Sequence, residues 1–375
     1  MKWLFLILLL SFLGANVYIF ARGYQSLPRG VYRIVFSLLF ICIFVSFFTG
    51  MFLEDKLPVS AVSLLQTIGG SWLFASIYVT AIILFIDTVR TVNRFIHFLP
   101  NFLTVPQTKI YMFGFVCFAL IAVLTIGIIQ FNKLSVQELE IETDKHTGKI
   151  PKIVMASDIH LGYVIGKKKL QDFVDLINLQ KPDIVLLCGD VFDRNSRPVE
   201  ATNMVELLKN IHAPLGIYAV LGNHEYYGNT EKLERIFKDA GIILLRDSIA
   251  QPVNNLYIIG RDDFSNKNRK PLSEIMKNIT DNNKFTVLLD HQPVNLDETQ
   301  QAGIDMQFSG HTHDGQVFPI NLFVQKIYEK SYGYYRKNNT HYYITSGLGL
   351  WGAPLRIGTR SELIILNVND LNFRF

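Results

Sequence analysis

The chain has 375 residues and a formal net charge of +4, long enough for two domains. The charge is uneven: residues 1–131 carry eight Lys/Arg against three Asp/Glu, net +5, while the remainder from Lys133 carries 28 against 29, net −1. The cationic excess thus belongs to the first third, which removes the argument for a basic nucleic-acid-binding surface on the rest.

That first third is apolar. The stretches Lys2 to Ala21, Val31 to Leu53, Ala61 to Ile86 and Ile110 to Gln130 are each long enough to cross a hydrocarbon core at about 20 residues. A soluble domain rarely holds four such runs joined by short polar links, so residues 1–130 read as an all-α region of four transmembrane helices. The opening MKWLFLILLLSFLGA has the form of a signal peptide with Lys2 as its charged start. Its apolar run continues through NVYIF, which favours an uncleaved span. Arg22, Arg29 and Arg33 lie around the first link and Arg90, Arg94 and Lys109 around the third, whereas the second, LEDKLP, has one Lys against two acids. By the positive-inside rule the first and third links are cytoplasmic. Both termini and the soluble domain are then expected outside the cytoplasm, at the cell membrane.

Cys42 and Cys117 fall within the spans and Cys188 stands alone in an apolar strand, leaving the soluble domain no internal disulfide. Residues 131–150, FNKLSVQELEIETDKHTGKI, are polar and short. They are read as a linker, either a tether or a first edge strand.

From residue 151 short Val/Ile/Leu-rich strands alternate with amphipathic helices, the pattern of a layered α/β domain. KIVMASD is a strand, and KKKLQDFVDLINLQ has Leu170, Phe173, Val174 and Ile177 at helical spacing. DIVLLCGD is the next strand, and PVEATNMVELLKN is expected as one helix opened by proline. Strand GIYAVLGNHE, helix TEKLERIFKDA and strands around LYIIG, FTVLLDH, DMQFSGH, HYYITSG and ELIILNV complete the domain to residue 375.

Polar clusters lie where these strands end, the place where open α/β sheets bind ligands. They are SDIH (Asp158, His160), GDVFD (Asp190, Asp193), GNHE (Asn223, His224, Glu225), DH (Asp290, His291) and GHTH (His311, His313). Singly, Gly-Asp and Gly-Asn are ordinary turn chemistry, and a strand-end histidine is more often structural or exposed. Five clusters at successive strand ends, holding five of the nine histidines, are better explained by a shared ligand. Carboxylate, amide and imidazole donors suit manganese, iron or zinc, and the absence of thiolates argues against structural zinc. Two ions roughly 3.5–4 Å apart activate a water and neutralise phosphoryl oxygens, which is the chemistry of phosphoester hydrolysis.

The ordered set D-x-H, G-D-x-x-D, G-N-H-E, H and G-H-x-H, spanning residues 153–313, resembles the calcineurin-like metallophosphoesterase family. The resemblance implies a β-sandwich flanked by helices and two divalent metal ions, manganese first, with iron or zinc as alternatives. It implies that Asp158, His160 and His313 hold one ion, that Asn223, His291 and His311 hold the other, and that Asp190 bridges them. His224 matches the family histidine that contacts phosphate and assists the leaving group. Asp193 would orient a ligand or the loop from behind, and Asp314 stands where similar proteins often have Gly. The tail SGLGLWGAPLRIGTRSEL resembles a membrane-associated branch in which a Gly-rich loop and an arginine close over the site. Arg356 would then meet a second phosphate or similar anion, the plain alternative being a solvated arginine on a tight turn. His97, His146, His212 and His341 match no motif.

The sequence is therefore read as a membrane-anchored metal-dependent phosphoesterase. It would cleave a phosphodiester, pyrophosphate or phosphomonoester, with a lipid or lipid-linked substrate favoured by the anchor. A non-catalytic receptor or scaffold on the same fold is a rival, although no motif residue is missing. A nuclease is another, on the tyrosines of EKSYGYYRKNNTHYY beside Lys330, Arg336 and Lys337.

Overall fold

The computed structural model describes residues 2–371 apart from Thr104, Pro106 and His146. The chain divides into two compact units, residues 1–129 with 352–355, and residues 130–351 with 356–375. In the first, α1 (Lys2–Ser26), α2 (Val31–Phe52), α3 (Val59–Ile96) and α4 (Thr108–Asn132) are long and apolar enough to cross a membrane. Helix α3 does not stop at Ile86, where the apolar run ends. It continues through DTVRTVNRFI to Ile96, because those residues are tolerated in a helix and nothing before His97 breaks it. His97 then adopts a left-handed φ of 48° while its N–H donates to Asn93 O at 3.0 Å. At 1.5 Å per residue, α3's 38 residues extend about 57 Å. That is well beyond a hydrocarbon core of roughly 30 Å.

The second unit is a sandwich of two six-stranded sheets. Its strands are β1 (Leu134–Thr143), β2 (Ile153–Ala156), β3 (Ile184–Cys188), β4 (Ile217–Val220), β5 (Ile243–Leu244), β6 (Ser248–Val253), β7 (Leu256–Gly260), β8 (Phe285–Leu289), β9 (Met306–Ser309), β10 (Gly333–Lys337), β11 (Thr340–Ile344) and β12 (Ser361–Asp370). One sheet runs β1-β12-β2-β3-β4-β5 and the other β10-β11-β9-β8-β7-β6. Strands β2 to β5 are parallel to one another, as are β7, β8, β9 and β11.

Flanking helices are α5 (Lys167–Leu179), α6 (Arg197–Ala201), α7 (Met204–Leu208), α8 (Asn223–Tyr227), α9 (Thr230–Asp239), α10 (Leu272–Met276), α11 (Leu296–Gln301) and α12 (Ile320–Ile327). The single helix expected over PVEATNMVELLKN is split into α6 and α7, because Asn203 takes a left-handed φ of 58° between them. Of the two readings of residues 131–150, the structure has the edge strand: Leu134–Thr143 is β1, at the border of its sheet and paired in parallel with β12 over its whole length.

The central strands are apolar on both faces, and the packing shows why. Ile153, Met155, Ile184 and Leu186 point into the core shared with Ile258, Val287 and Phe308 of the other sheet. The alternate residues Val154, Ala156, Val185 and Leu187 pack with Leu170, Phe173 and Phe237 of α5 and α9. A strand covered on both sides needs a continuous apolar run. Each such fully buried side chain contributes about 1.5–3 kcal/mol. This burial fixes the register that carries the polar residues to the strand ends.

Candidate metal centre and active site

Every proposed metal-binding residue follows the carboxyl end of a strand: Asp158 and His160 after β2, Asp190 after β3, Asn223 after β4, His291 after β8, and His311 and His313 after β9. The backbone there is unusual. Asp158, His160, Asp190, His311 and His313 have φ of 54°, 52°, 50°, 69° and 50°, a left-handed conformation that costs a non-glycine residue on the order of 1–3 kcal/mol. Such strain persists only where surrounding contacts over-determine it.

Those contacts converge on two groups of donors. The ligand atoms of Asp158, His160 and His313 lie within 4.8 Å of one another, as do those of Asp190, His291 and His311. Asp190 joins them, with its Oδ2 3.7 Å from His160 Nε2 and 3.2 Å from His291 Nε2. Asn223 Oδ1 completes the second group at 3.2 Å from His291 Nε2 and 2.7 Å from His311 Nδ1. In the first, the Nε2 atoms of His160 and His313 face each other at 3.1 Å.

The electrostatics suit ligands. Burial pulls His160 down to about 3, His311 to about 4 and His313 well below its usual value, so these imidazoles are neutral. Burial pushes Asp158 up to about 6. Burial would also raise Asp190, but the charge of His291 and its hydrogen bond prevail and hold the carboxyl well below the ordinary range. His291 is correspondingly raised, burial opposing and the Asp190 charge prevailing. The buried Nδ1 atoms of His160 and His313 have no hydrogen-bond partner among the described residues. Neutral imidazole lone pairs crowded against buried carboxylates, with oxygen and nitrogen donors alone, fit two hard or borderline divalent cations. Cys188 is not among the donors, since its Sγ contacts Phe308 O at 3.0 Å.

Glycines in the motifs permit this crowding. A Cβ on Gly222 would lie 2.2 Å from Asp190 Oδ1, and one on Gly310 2.2 Å from Asp158 Oδ2, so each glycine makes room for a donor from another strand. Glu225 is fully buried and ties two of the loops, accepting from Asp190 N at 3.0 Å, Phe192 N at 2.9 Å and Gly222 N at 2.7 Å. Burial lifts its carboxyl to about 8.

His224 stands beside the donors, its ring 4.5 Å from that of His160, with Tyr227 and Trp351 on its flank. Its backbone N–H donates to Asp190 Oδ1 at 2.8 Å, and its Nδ1 is 2.7 Å from Asp193 Oδ1. Asp193 thus holds His224 rather than a proposed metal-binding residue. Burial pulls the His224 pKa down, but the hydrogen bond to Asp193 and the nearby carboxylates outweigh it and leave it at about 9.

The substrate-binding role expected for Arg356 is corrected by its surroundings. The side chain is fully buried, and its guanidinium donates to Ser346 O at 2.7 Å, Gly347 O at 3.0 Å, Ser361 Oγ at 3.0 Å, Thr359 Oγ1 at 3.3 Å and Gly349 O. It is a brace for the Gly-rich turn, whose Leu348 and Gly349 N–H groups donate to Ser157 O and Asp158 O, each at 3.0 Å. Burial lowers it to about 10.

Asp290 also turns away from the donors, pairing with Arg261 at 3.3 Å and with Arg269. The sequence reading missed this group and Asp263, which accepts two contacts from Gln292 Nε2 at 3.1 and 3.0 Å. The signal was there in GRDD, where a polar run follows LYIIG at the same edge. Asp314 has a φ of 49°, the conformation that glycine takes without strain. Of the aromatics behind the nuclease reading, Tyr342 and Tyr343 are buried while Tyr334 is exposed, and Lys337 pairs with Asp297 at 2.5 Å and Glu329 at 2.9 Å. His97 and His212 are exposed, His341 meets Tyr334 Oη at 2.8 Å, and His146 lies outside the described residues.

Comparison with known proteins finds relatives among the metallophosphoesterases. An uncharacterized metallophosphoesterase of Campylobacter jejuni is 34% identical over 223 residues, covering 58% of this chain and 59% of its own length. One from Aquifex aeolicus is 32% identical over 243 residues, covering 63% of this chain and 92% of its own length. A transmembrane protein with metallophosphoesterase domain of Danio rerio is 32% identical over 228 residues, covering 56% and 52%. The chain thus matches about three fifths of the Campylobacter relative and half of the fish one. Residues 151–315, which hold all seven proposed metal-binding side chains, match the family model described as calcineurin-like phosphoesterase, and the chain belongs to the calcineurin-like metallophosphoesterase family.

Proposed function

We propose that the protein is a membrane-anchored phosphoesterase that uses two divalent ions, manganese first among them, to hydrolyse a phosphodiester, pyrophosphate or phosphomonoester presented at the bilayer. The observation that carries this reading is the position of Asp190, one carboxylate oxygen facing a histidine from each donor group. Asp158, His160 and His313 would hold one ion, and Asn223, His291 and His311 the other. The bound ions supply positive charge for the phosphoryl oxygens and acidify a water. His224 holds a proton at the rim of the site, where it donates to the departing oxygen. Asp193 fixes its ring and favours the protonated form.

Replacing Asp190 by Asn removes the shared charge while keeping the shape. Elemental analysis alongside turnover of simple phosphoesters should find metal reduced and hydrolysis abolished. Full metal content with ordinary turnover would sink the dinuclear reading.

The membrane part of the proposal rests on the connection. Only Lys133 separates α4 from β1, so there is no free tether on which the catalytic unit could travel. The cations around the first and third links favour an extracytoplasmic catalytic unit.

A further inference from the structure

The helices of the membrane unit border a partly open cavity of about 680 Å³, within the range of roughly 300–1,000 Å³ that ligand sites occupy. All four helices wall it: Ile19 from α1, Phe40 from α2, Trp72 and Val79 from α3, and Val116 and Leu120 from α4. These walls are apolar, and lipid tails are as apolar as the walls, so an acyl chain fills such a space without a desolvation cost.

The polar lining has a definite sign. Arg22, Arg90, Arg94 and Lys109 line the cavity with one carboxylate, Asp87. Asp87 is already engaged, 2.7 Å from Arg22 Nε and accepting from Tyr18 Oη at 2.5 Å. Arg90, Arg94 and Lys109 form no ion pair among the described residues, and Arg90 has only Met112 Sδ at 3.7 Å. The positive-inside rule accounts for cations near these helix ends, but not for an acyl-sized cavity between the helices that bear them. Basic pockets between transmembrane helices bind anionic headgroups.

We infer that this cavity is a binding site for an anionic glycerophospholipid, one acyl chain lying against Trp72 and the headgroup phosphate held by Arg90, Arg94 and Lys109. The inference is independent of the hydrolytic reading, since no residue of the metal centre takes part.

Trp72 supplies the test. The chain has three tryptophans, and Trp3→Phe with Trp351→Phe leaves Trp72 as the sole reporter. The full chain is reconstituted in phosphatidylcholine vesicles containing either phosphatidylglycerol or phosphatidylcholine brominated on its acyl chains. Brominated phosphatidylglycerol should quench Trp72 at a mole fraction on the order of a hundredfold lower than brominated phosphatidylcholine, the scale expected of three surface-proximal cations. Arg90→Gln with Arg94→Gln and Lys109→Gln should bring the two lipids level. Arg29→Gln with Arg33→Gln, which removes charge from the first link, expected on the same face of the membrane, but not from the lining, should leave the preference intact. Val116→Phe, which narrows the cavity with every cation present, should weaken quenching by both lipids. Equal quenching in the intact chain overturns the site, as does a preference that survives the triple change or disappears with Arg29 and Arg33. Quenching unaltered by Val116→Phe places the lipid outside the cavity and also overturns it.

Discussion

Replacing Asp193 by Asn tests the proton at the rim of the site through one hydrogen bond. The pair is short, 2.7 Å between Asp193 Oδ1 and His224 Nδ1, with side-chain exposures of 26% and 14%. Asn can still accept from Nδ1 but carries no charge. A hydrogen bond to a charged group contributes about 1.5–3 kcal/mol against 0.5–1.5 for a neutral one, a difference of about 1–1.5 kcal/mol. At 1.36 kcal/mol per pKa unit, that lowers His224 by about one unit from its value of about 9. The sign follows from the role. A proton donor works below its pKa and fails as pH rises through it, so the alkaline limb of kcat/KM should move toward neutrality by about one unit. An alkyl phosphoester, whose leaving group needs the proton, should lose about tenfold or more on that limb. An activated aryl ester, which departs as an anion, should lose little. The assay is a pair of pH–rate profiles at matched metal content. Equal losses on both substrates, or an unmoved alkaline limb, would refute the assignment of His224 as donor and Asp193 as its holder.

Arg356→Ala should act on stability. It leaves the carbonyls of Ser346, Gly347 and Gly349 without their shared donor, a loss of about 3–5 kcal/mol when each buried acceptor left unsatisfied costs about 1–3 kcal/mol. The melting temperature of the catalytic unit should fall by about 10 °C, at 2–4 °C per kcal/mol; a raised KM with unchanged melting would restore the anion-binding role. A reporter active only after export, fused after Phe375, should be active, and activity from a cytoplasmic reporter instead would reverse the orientation. The intact protein should turn over a bilayer phosphoester better than a soluble analogue with the same headgroup, and removing residues 1–130 should erase most of that preference. An identical lipid-to-soluble ratio in both proteins would reduce the helices to an address.

Much of this was legible because the chemistry sits at regular places. Continuous apolar runs mark strands buried on both faces, and the polar motifs end them, so Asp158, Asp190 and Asn223 are readable as a set in the sequence. What failed had no such periodicity. β5 has only two residues and β6 carries a proline, and neither looks like a buried strand. The break at Asn203 depends on one backbone dihedral. Arg356 was misjudged because a formal charge in a Gly-rich tail suggests a ligand, while the carbonyls that consume it belong to backbone on which sequence is silent. The Asp193 to His224 contact joins residues 31 positions apart, beyond any local pattern.

The pairing of β1 with β12 decides how the catalytic unit can be separated from its anchor. All ten residues of β1 are matched one to one with Ser361–Asp370, and Ser135 Oγ adds a contact to Ser361 O at 2.9 Å. A protease or an engineer cutting at residue 133 releases a sheet with its own border intact. A cut at residue 150, where the motifs begin, strips that border and bares a ten-residue row of unmet peptide groups on β12, a template for pairing with other chains. Release of the sandwich with both sheets complete therefore requires cleavage within a window of one or two residues at the end of α4. Cleavage anywhere later in the polar stretch yields a species prone to aggregate.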